Sequence, residues 1–196
     1  MLKRLFDIVA TLVGIIILLP FFIVICIAMI VSCGFPLFYL QTRVGKNGKD
    51  FKLFKFRTMH LDADKKGLLT VGGRDPRVTS IGYYLRKYKL DELPQLFNVL
   101  FGTMSLVGPR PEVRKYVDLY TKEQQQVLSV KPGITDFASL EYINENDLLA
   151  KSNNPEKTYI EEIMPAKLAL NMKYIQQQGI LVDFKIILNT IFKIIK

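Results

Sequence analysis

The chain has 196 residues, with 27 Lys+Arg against 18 Asp+Glu, one His, two Cys and no Trp, and 49% of it is apolar. A formal charge of +9 at that apolar content is too greasy for an ordinary basic nucleic-acid binder and too polar for a multi-span transporter, and the length allows one domain or one domain plus an appendage. A single histidine excludes a His-rich zinc site, and a Ser-His-Asp triad would have to use His60. Cys26 and Cys33 form no CxxC pair, so neither a disulfide framework nor a metal cluster is indicated.

The first segment is the greasy one. Residues 1–42 carry Lys3, Arg4 and Asp7 as their charges, and Ile8–Val31 is an uncharged run of 24 residues, long enough to cross a bilayer. The run is too long for a signal peptide and no small-residue cleavage site follows it. Its apolar residues go all the way round a helix, as in Ile15–Leu19, which suits lipid better than a soluble core. Pro20 falls mid-run and should kink the helix. Lys3 and Arg4 flank one end; Arg43, Lys46 and Lys49 follow the other. Cations favour the cytoplasmic side, so a bent helix entering and leaving one leaflet satisfies both flanks, whereas a straight span puts Lys3 and Arg4 outside. Both topologies stay open on these residues.

Pro36–Val44 reads as a strand, Gly45–Gly48 as an Asn-Gly turn and Asp50–Met59 as the returning strand. Lys55 and Arg57 alternate imperfectly with Phe54 and Phe56, either to face an anion or as a solvated strand face. Residues 61–78 read as a loop. Thr79 or Ser80 caps a helix through Lys89, and a second helix starts at Asp91 and stops at Gly102. Gly108-Pro109-Arg110-Pro111 is a stiff loop, Pro111–Val130 a further helix and Lys131-Pro132-Gly133 a turn. Later helices are expected over Pro155–Gln178 and Asp183–Lys196. In the last, Lys185, Asn189 and Lys193 lie opposite Phe184, Ile187, Leu188, Ile191 and Ile195, a pattern that suits a membrane interface or a core face equally. The expected fold is α+β and mainly helical.

The charge is concentrated. Residues 43–115 hold 16 cations and 7 acids, so the whole positive excess lies there, as an anionic partner requires. Within that segment stands Leu90-Asp91-Glu92-Leu93-Pro94. Paired acids at a helix start are ordinarily caps. Arg86 one turn earlier, Arg110 between two prolines and a helix N-terminus point instead to phosphate chemistry. There a carboxylate either holds Mg²⁺ against phosphate oxygens or attacks phosphorus itself.

Three further blocks accompany DELPQ and GPRP: QTRVGKNGK (Gln41–Lys49), LFKFRTM (Leu53–Met59) and KPGIT (Lys131–Thr135). In this order they resemble the bacterial sugar transferases known as monotopic phosphoglycosyl transferases, over nearly the whole chain. The resemblance implies a re-entrant membrane helix broken at Pro20 (1–35) and a helical cytoplasmic catalytic domain (36–196) with a short hairpin and interfacial amphipathic helices. It implies that Asp91 is the nucleophile on a UDP-sugar, that Glu92 assists it, that both organise Mg²⁺, and that a polyprenyl phosphate such as undecaprenyl phosphate accepts the phosphosugar in a ping-pong reaction. Arg86 and Arg110 match phosphate-side arginines, with Lys55 and Arg57 as further phosphate ligands, while Lys3, Arg4 and Pro20 match the membrane insertion. The implied setting is the cytoplasmic face of a bacterial inner membrane, with membrane lipid and no nucleic acid as partners and room for a homodimer. Two departures stand out: Leu19 precedes Pro20 where many relatives have a small polar residue, and Asp136-Phe137-Ala138-Ser139 replaces a Gly-aliphatic-Ala-Gln run. The competing readings are a membrane-anchored Mg²⁺-dependent phosphodiesterase and a non-catalytic module that binds anionic lipid.

Overall fold

A computed structural model describes residues 2–61, 63 and 75–195, so most of the expected 61–78 loop lies outside the described residues. The fold is mainly helical, as expected. It opens with α1 (Leu2–Cys33), a single helix that runs through Pro20. The expected break is therefore no gap between two helices. A proline removes one backbone donor, and the long apolar stretches on both sides keep their own ladders. Among the described residues nothing covers the outer surface of α1, with Leu12, Ile16, Ile17, Phe21 and Val24 among its exposed side chains.

Both ends of α1 are tied to the rest of the chain. At the start, Arg4 donates to the carbonyls of Val99 (2.6 Å) and Leu100 (2.9 Å), and Lys3 to Asp183 (2.5 Å) and the Val107 carbonyl (3.2 Å). Buried Asp7 accepts from the Ser105 hydroxyl at 2.8 Å and the Leu106 N–H at 3.2 Å. At the far end Phe22, Ile25 and Met29, one helical face, pack with Phe56 and Leu85.

Strands β1 (Phe38–Val44) and β2 (Asp50–Phe56) form the expected antiparallel hairpin, in register from Phe38↔Phe56 to Val44↔Asp50. Asn47 and Gly48 take positive φ in its turn, which is what an Asn-Gly pair supplies. Helix α2 (Ser80–Lys87) is capped by the Thr79 hydroxyl on the Gly82 N–H at 3.0 Å. Helix α3 (Gln95–Phe101) ends at Gly102 with φ 83°.

Next come β3 (Ser105–Val107), α4 (Arg114–Val117) and β4 (Gly133–Thr135), and here two expectations fail. The helix expected over Pro111–Val130 is reduced to α4 and a 3-10 turn at Gln124–Ser129. Thr121 and Gln124 form a reciprocal capping box (2.9 and 3.2 Å) that starts a new turn and so interrupts the old helix. The expected turn at Lys131–Gly133 instead leads into β4, parallel to β3. The two segments touch where both are glycine: a Cβ on Gly133 would lie 2.1 Å from the nitrogen of Gly108, just past β3.

The C-terminal part is helical: α5 (Phe137–Glu141), α6 (Glu145–Ala150), α7 (Pro155–Thr158), α8 (Met164–Gln177) and α9 (Ile180–Ile195). A π turn, Tyr159–Ile163, joins α7 to α8. It lies just ahead of Pro165, whose missing N–H leaves a carbonyl of that turn without its helical donor. Tyr116, Val127, Leu149, Tyr159 and Leu168 make the main core of this half. Helix α9 docks Val182, Ile186 and Ile187 against Val107 and Tyr174, and leaves Leu181, Phe184, Leu188, Ile191 and Phe192 exposed. The apolar face read from the sequence is thus divided, Ile187 going inward and Phe184, Leu188 and Ile191 outward.

Candidate active site

Asp91 and Glu92 do not begin a helix. Lys89 adopts a left-handed conformation (φ 55°, ψ 20°) that ends the α2 segment, and Leu90–Glu92 is a 3-10 turn ahead of α3. The physical reason is local. Pro94 is tolerated at a helix entry, so α3 starts after it, and the acids fall in the tighter turn before it. In a 3-10 turn residues i and i+3 eclipse, so Leu90 and Leu93 share a side, and both pack on the α1 cluster around Phe22 and Ile25. The two carboxylates between them are turned towards a cavity.

That cavity measures about 540 Å³. Among the described residues nine cations line it (Arg43, Lys55, Arg57, Arg77, Arg86, Lys89, Arg110, Lys167 and Lys193) against the three acids Asp91, Glu92 and Glu145, a balance suited to a multiply charged anion. Asp91 is 7% exposed, and its carboxylate makes no hydrogen bond or ion pair with any described residue. Glu92 is fully engaged. Arg110 grips it with both terminal nitrogens, one at 2.9 Å on Oε2 and the other on Oε1, and Lys55 approaches Oε1 at 3.4 Å.

The neighbouring carboxyls are pushed apart. Burial raises the Asp91 carboxyl above the usual carboxylate range, against the pull of Lys55 and Arg86. Burial would raise Glu92 too, but Arg110 and Lys55 outweigh it and hold that carboxyl well below the usual range. Lys55 is lowered, mainly by burial, with Glu92 opposing. Arg110 is raised by Glu92. The site thus presents one open carboxylate and one locked in an ion-pair cluster.

The loop carrying Arg110 is held from below. The Gly108 N–H donates to Thr135 and the Gly133 N–H to Pro109, both at 3.0 Å, and the Arg110 N–H donates to the Asp136 carboxylate at 3.1 Å. One step on, Glu112 accepts from Arg43 at 2.9 Å and from the Tyr159 hydroxyl at 2.5 Å, which ties the loop to the hairpin and to the π turn.

The structure gathers Asp91, Glu92, Lys55, Arg86 and Arg110 around one cavity. Arg57 lines it too, but its terminal nitrogens donate to the carbonyls of Cys33 (2.6 Å), Gly34 (2.8 Å) and Phe35 (3.2 Å), so it caps the end of α1. Lys3 and Arg4 likewise bind backbone carbonyls and Asp183. Several cavity residues were not singled out for the site from the sequence, Arg43 and Lys167 among them. Arg43 stands inside a recognisable block, QTRV. Lys167, paired with Glu145 at 2.7 Å, arrives from a distant helix without any local signal. Asp136, fully buried and outside the cavity lining, was noticed as a departure and given no role.

Comparison with known proteins gives the family. The sequence profile of the family described as bacterial sugar transferase matches residues 1–196. The chain is 35% identical to the UDP-glucose:undecaprenyl-phosphate glucose-1-phosphate transferase of Escherichia coli (strain K12), over 98% of this chain and 40% of that protein. It is 39% identical to the UDP-N-acetylgalactosamine-undecaprenyl-phosphate N-acetylgalactosaminephosphotransferase of Aeromonas hydrophila, over 71% of this chain and 34% of that one. It is 36% identical to the exopolysaccharide production protein PSS of Rhizobium leguminosarum bv. phaseoli, over 97% of this chain and 93% of that one. This chain is therefore a transferase that belongs to the bacterial sugar transferase family.

Proposed function

We propose that the protein transfers a phosphosugar from a UDP-sugar to a polyprenyl phosphate, by a ping-pong reaction through Asp91. The observation that carries this is the open Asp91 carboxylate in a cavity lined, among the described residues, by nine cations, beside a Glu92 already occupied by Arg110 and Lys55. An Asp91 oxygen attacks the β-phosphorus, the bond from that phosphorus to the bridging oxygen breaks, and UMP leaves. The acceptor phosphate then attacks the same phosphorus, and Asp91 leaves as a carboxylate. Two related proteins act on UDP-sugars and undecaprenyl phosphate by name, with different sugars, so the class of donor is supported and the sugar is left open.

Of the two acids expected to organise Mg²⁺, Asp91 is the one that could hold it: its oxygens have no described partner, whereas both Glu92 oxygens are taken by Arg110. A carboxylate completed by substrate phosphate and water is a donor set Mg²⁺ accepts. When bound, the ion would neutralise charge on the diphosphate oxygens. Lys55, Arg86 and Arg110 orient the phosphates from the protein side.

The membrane arrangement we infer is a bent, re-entrant α1 with the catalytic domain on the cytoplasmic face of a bacterial membrane. Both ends of α1 are bonded to one polar domain, through Arg4 and Asp7 at the start and through Arg57 at the end. A straight span would set those ends on opposite sides of a hydrocarbon core of about 30 Å. The exposed apolar row of α9 is suited to the same interface. Cysteine labelling at residues 2 and 50, with Cys26 and Cys33 replaced by serine, should modify both sites from the cytoplasmic side. Labelling from opposite sides would refute the re-entrant arrangement.

The function itself is tested with purified protein, Mg²⁺, undecaprenyl phosphate and either UDP-glucose or UDP-N-acetylgalactosamine. The expected products are UMP and a diphosphate-linked lipid sugar. Free sugar phosphate without lipid product would favour the phosphodiesterase reading, and a protein that binds anionic vesicles but releases no UMP would favour the lipid-binding module.

A further inference from the structure

One buried carboxylate next to the site has no part in the chemistry above. Asp136 is 0% exposed and makes no ion pair among the described residues. Its two oxygens serve different elements. Oδ1 accepts the Ser139 N–H at 2.6 Å and caps α5, and Oδ2 accepts the Arg110 N–H at 3.1 Å, from a loop 26 positions away in sequence. Capping alone does not call for a buried charge, because a neutral Ser or Asn caps as well. An uncompensated carboxylate inside a protein is costly, and here the second backbone N–H is part of what stabilises it.

The identity of that second donor is informative. Pro109 and Pro111 have no N–H, so Arg110 supplies the one backbone donor of the Pro-Arg-Pro stretch, and Asp136 takes it. The prolines restrict the loop's φ angles, and the Gly108–Thr135 and Gly133–Pro109 bonds fix its base. The Arg110 guanidinium is held at its other end by both oxygens of Glu92. Arg110 is thus pinned at two points, backbone and guanidinium, across the wall of the cavity.

We propose that Asp136 is a positioning residue for the transfer site: by holding the Arg110 backbone N–H it sets the reach of the Arg110 guanidinium to Glu92 and to the substrate phosphates. This rests on the reading of the cavity as the nucleotide-sugar site.

The test is a double-mutant cycle on the full chain, with D136N, R110A and the pair. Asparagine keeps one acceptor oxygen, so one of the two N–H groups is left facing an amide donor. D136N is expected to lower kcat/KM for UMP release by about tenfold or more, and by less than about twofold in the R110A background, because coupled residues are not additive. If R110A turns over too slowly, the same cycle is read in UDP affinity. Hydrogen exchange supplies a readout free of substrate: the amide of Arg110 should exchange at least about tenfold faster in D136N. Equal losses in both backgrounds would overturn the inference, and so would an unchanged Arg110 amide. A merely structural Asp136 would lower the unfolding temperature and the active fraction while leaving KM and the cycle additive. If the wild type releases no UMP from any UDP-sugar, the functional reading fails, and the exchange experiment still reports on the Asp136–Arg110 contact.

Discussion

Replacing Asp91 with asparagine is expected to reduce turnover of a UDP-sugar by at least about four orders of magnitude, the scale on which enzymes lose a nucleophile. The substitution preserves shape, and Asp91 makes no hydrogen bond among the described residues, so the fold should tolerate it. Removing a buried carboxyl that burial already disfavours should leave the unfolding temperature unchanged or slightly raised. UDP should still bind, since the cationic wall of Lys55, Arg86 and Arg110 is untouched. Loss of turnover with retained fold and UDP binding assigns Asp91 to the chemistry. Glu92→Gln should behave differently. It would leave Arg110 and Lys55 without their carboxylate, so donor binding as well as turnover should change.

The second large effect is on stability. Glu112 joins three parts of the chain, through Arg43 of β1, the Tyr159 hydroxyl and its own neighbour, the Val113 N–H. Its side chain is 17% exposed. Burial would raise this carboxyl, but Arg43 and the Tyr159 hydrogen bond outweigh that and hold it below the usual range. The folded value therefore lies below the unfolded one, near 4.3 for a free glutamate. The carboxylate contributes its full stabilisation above about pH 4.3 and loses it as pH falls through the lower, folded value. Glu112→Gln is expected to cost about 2–3 kcal/mol at pH 7, from the loss of charged hydrogen bonds. Thermal unfolding should register this as a drop of roughly 5–10 °C for a chain of this size. The acid-side fall in stability should also flatten in the variant. A variant as stable as wild type at pH 7, or one with the same acid slope, would show that the Glu112 cluster is not what joins the loop to the hairpin.

Local signals in the sequence carried part of this structure. The Asn-Gly hairpin, the Thr79 cap, the Gly102 stop and the terminal helices each depend on contacts within a few residues, and each is where those residues put it. The parallel β3–β4 pair was illegible because three residues per strand give no periodicity, and its register joins Ser105 to Gly133. The long helix expected after Pro111 ignored Thr121 and Gln124, which look like ordinary surface residues until they are seen to cap each other. The partners of several charged residues were not legible. Arg57, Lys3 and Arg4 were read as groups facing phosphate or lipid, yet all three donate to backbone carbonyls, because unsatisfied carbonyls at helix and strand ends attract cations as readily as anions do. At the candidate site the local geometry was not legible: the paired acids form a 3-10 turn after a left-handed Lys89 rather than a helix start, which is what separates an open Asp91 from an occupied Glu92.

The most direct measurement of the central claim is to mix the purified protein with Mg²⁺ and a sugar-labelled UDP-sugar, omit the acceptor lipid, quench, and map the label by peptide mass spectrometry. The account predicts one UMP released per active site and a phosphosugar on the peptide that contains Asp91, discharged when polyprenyl phosphate is added. Full turnover to lipid-linked product with no adduct on that peptide, or an adduct on another residue, would contradict it.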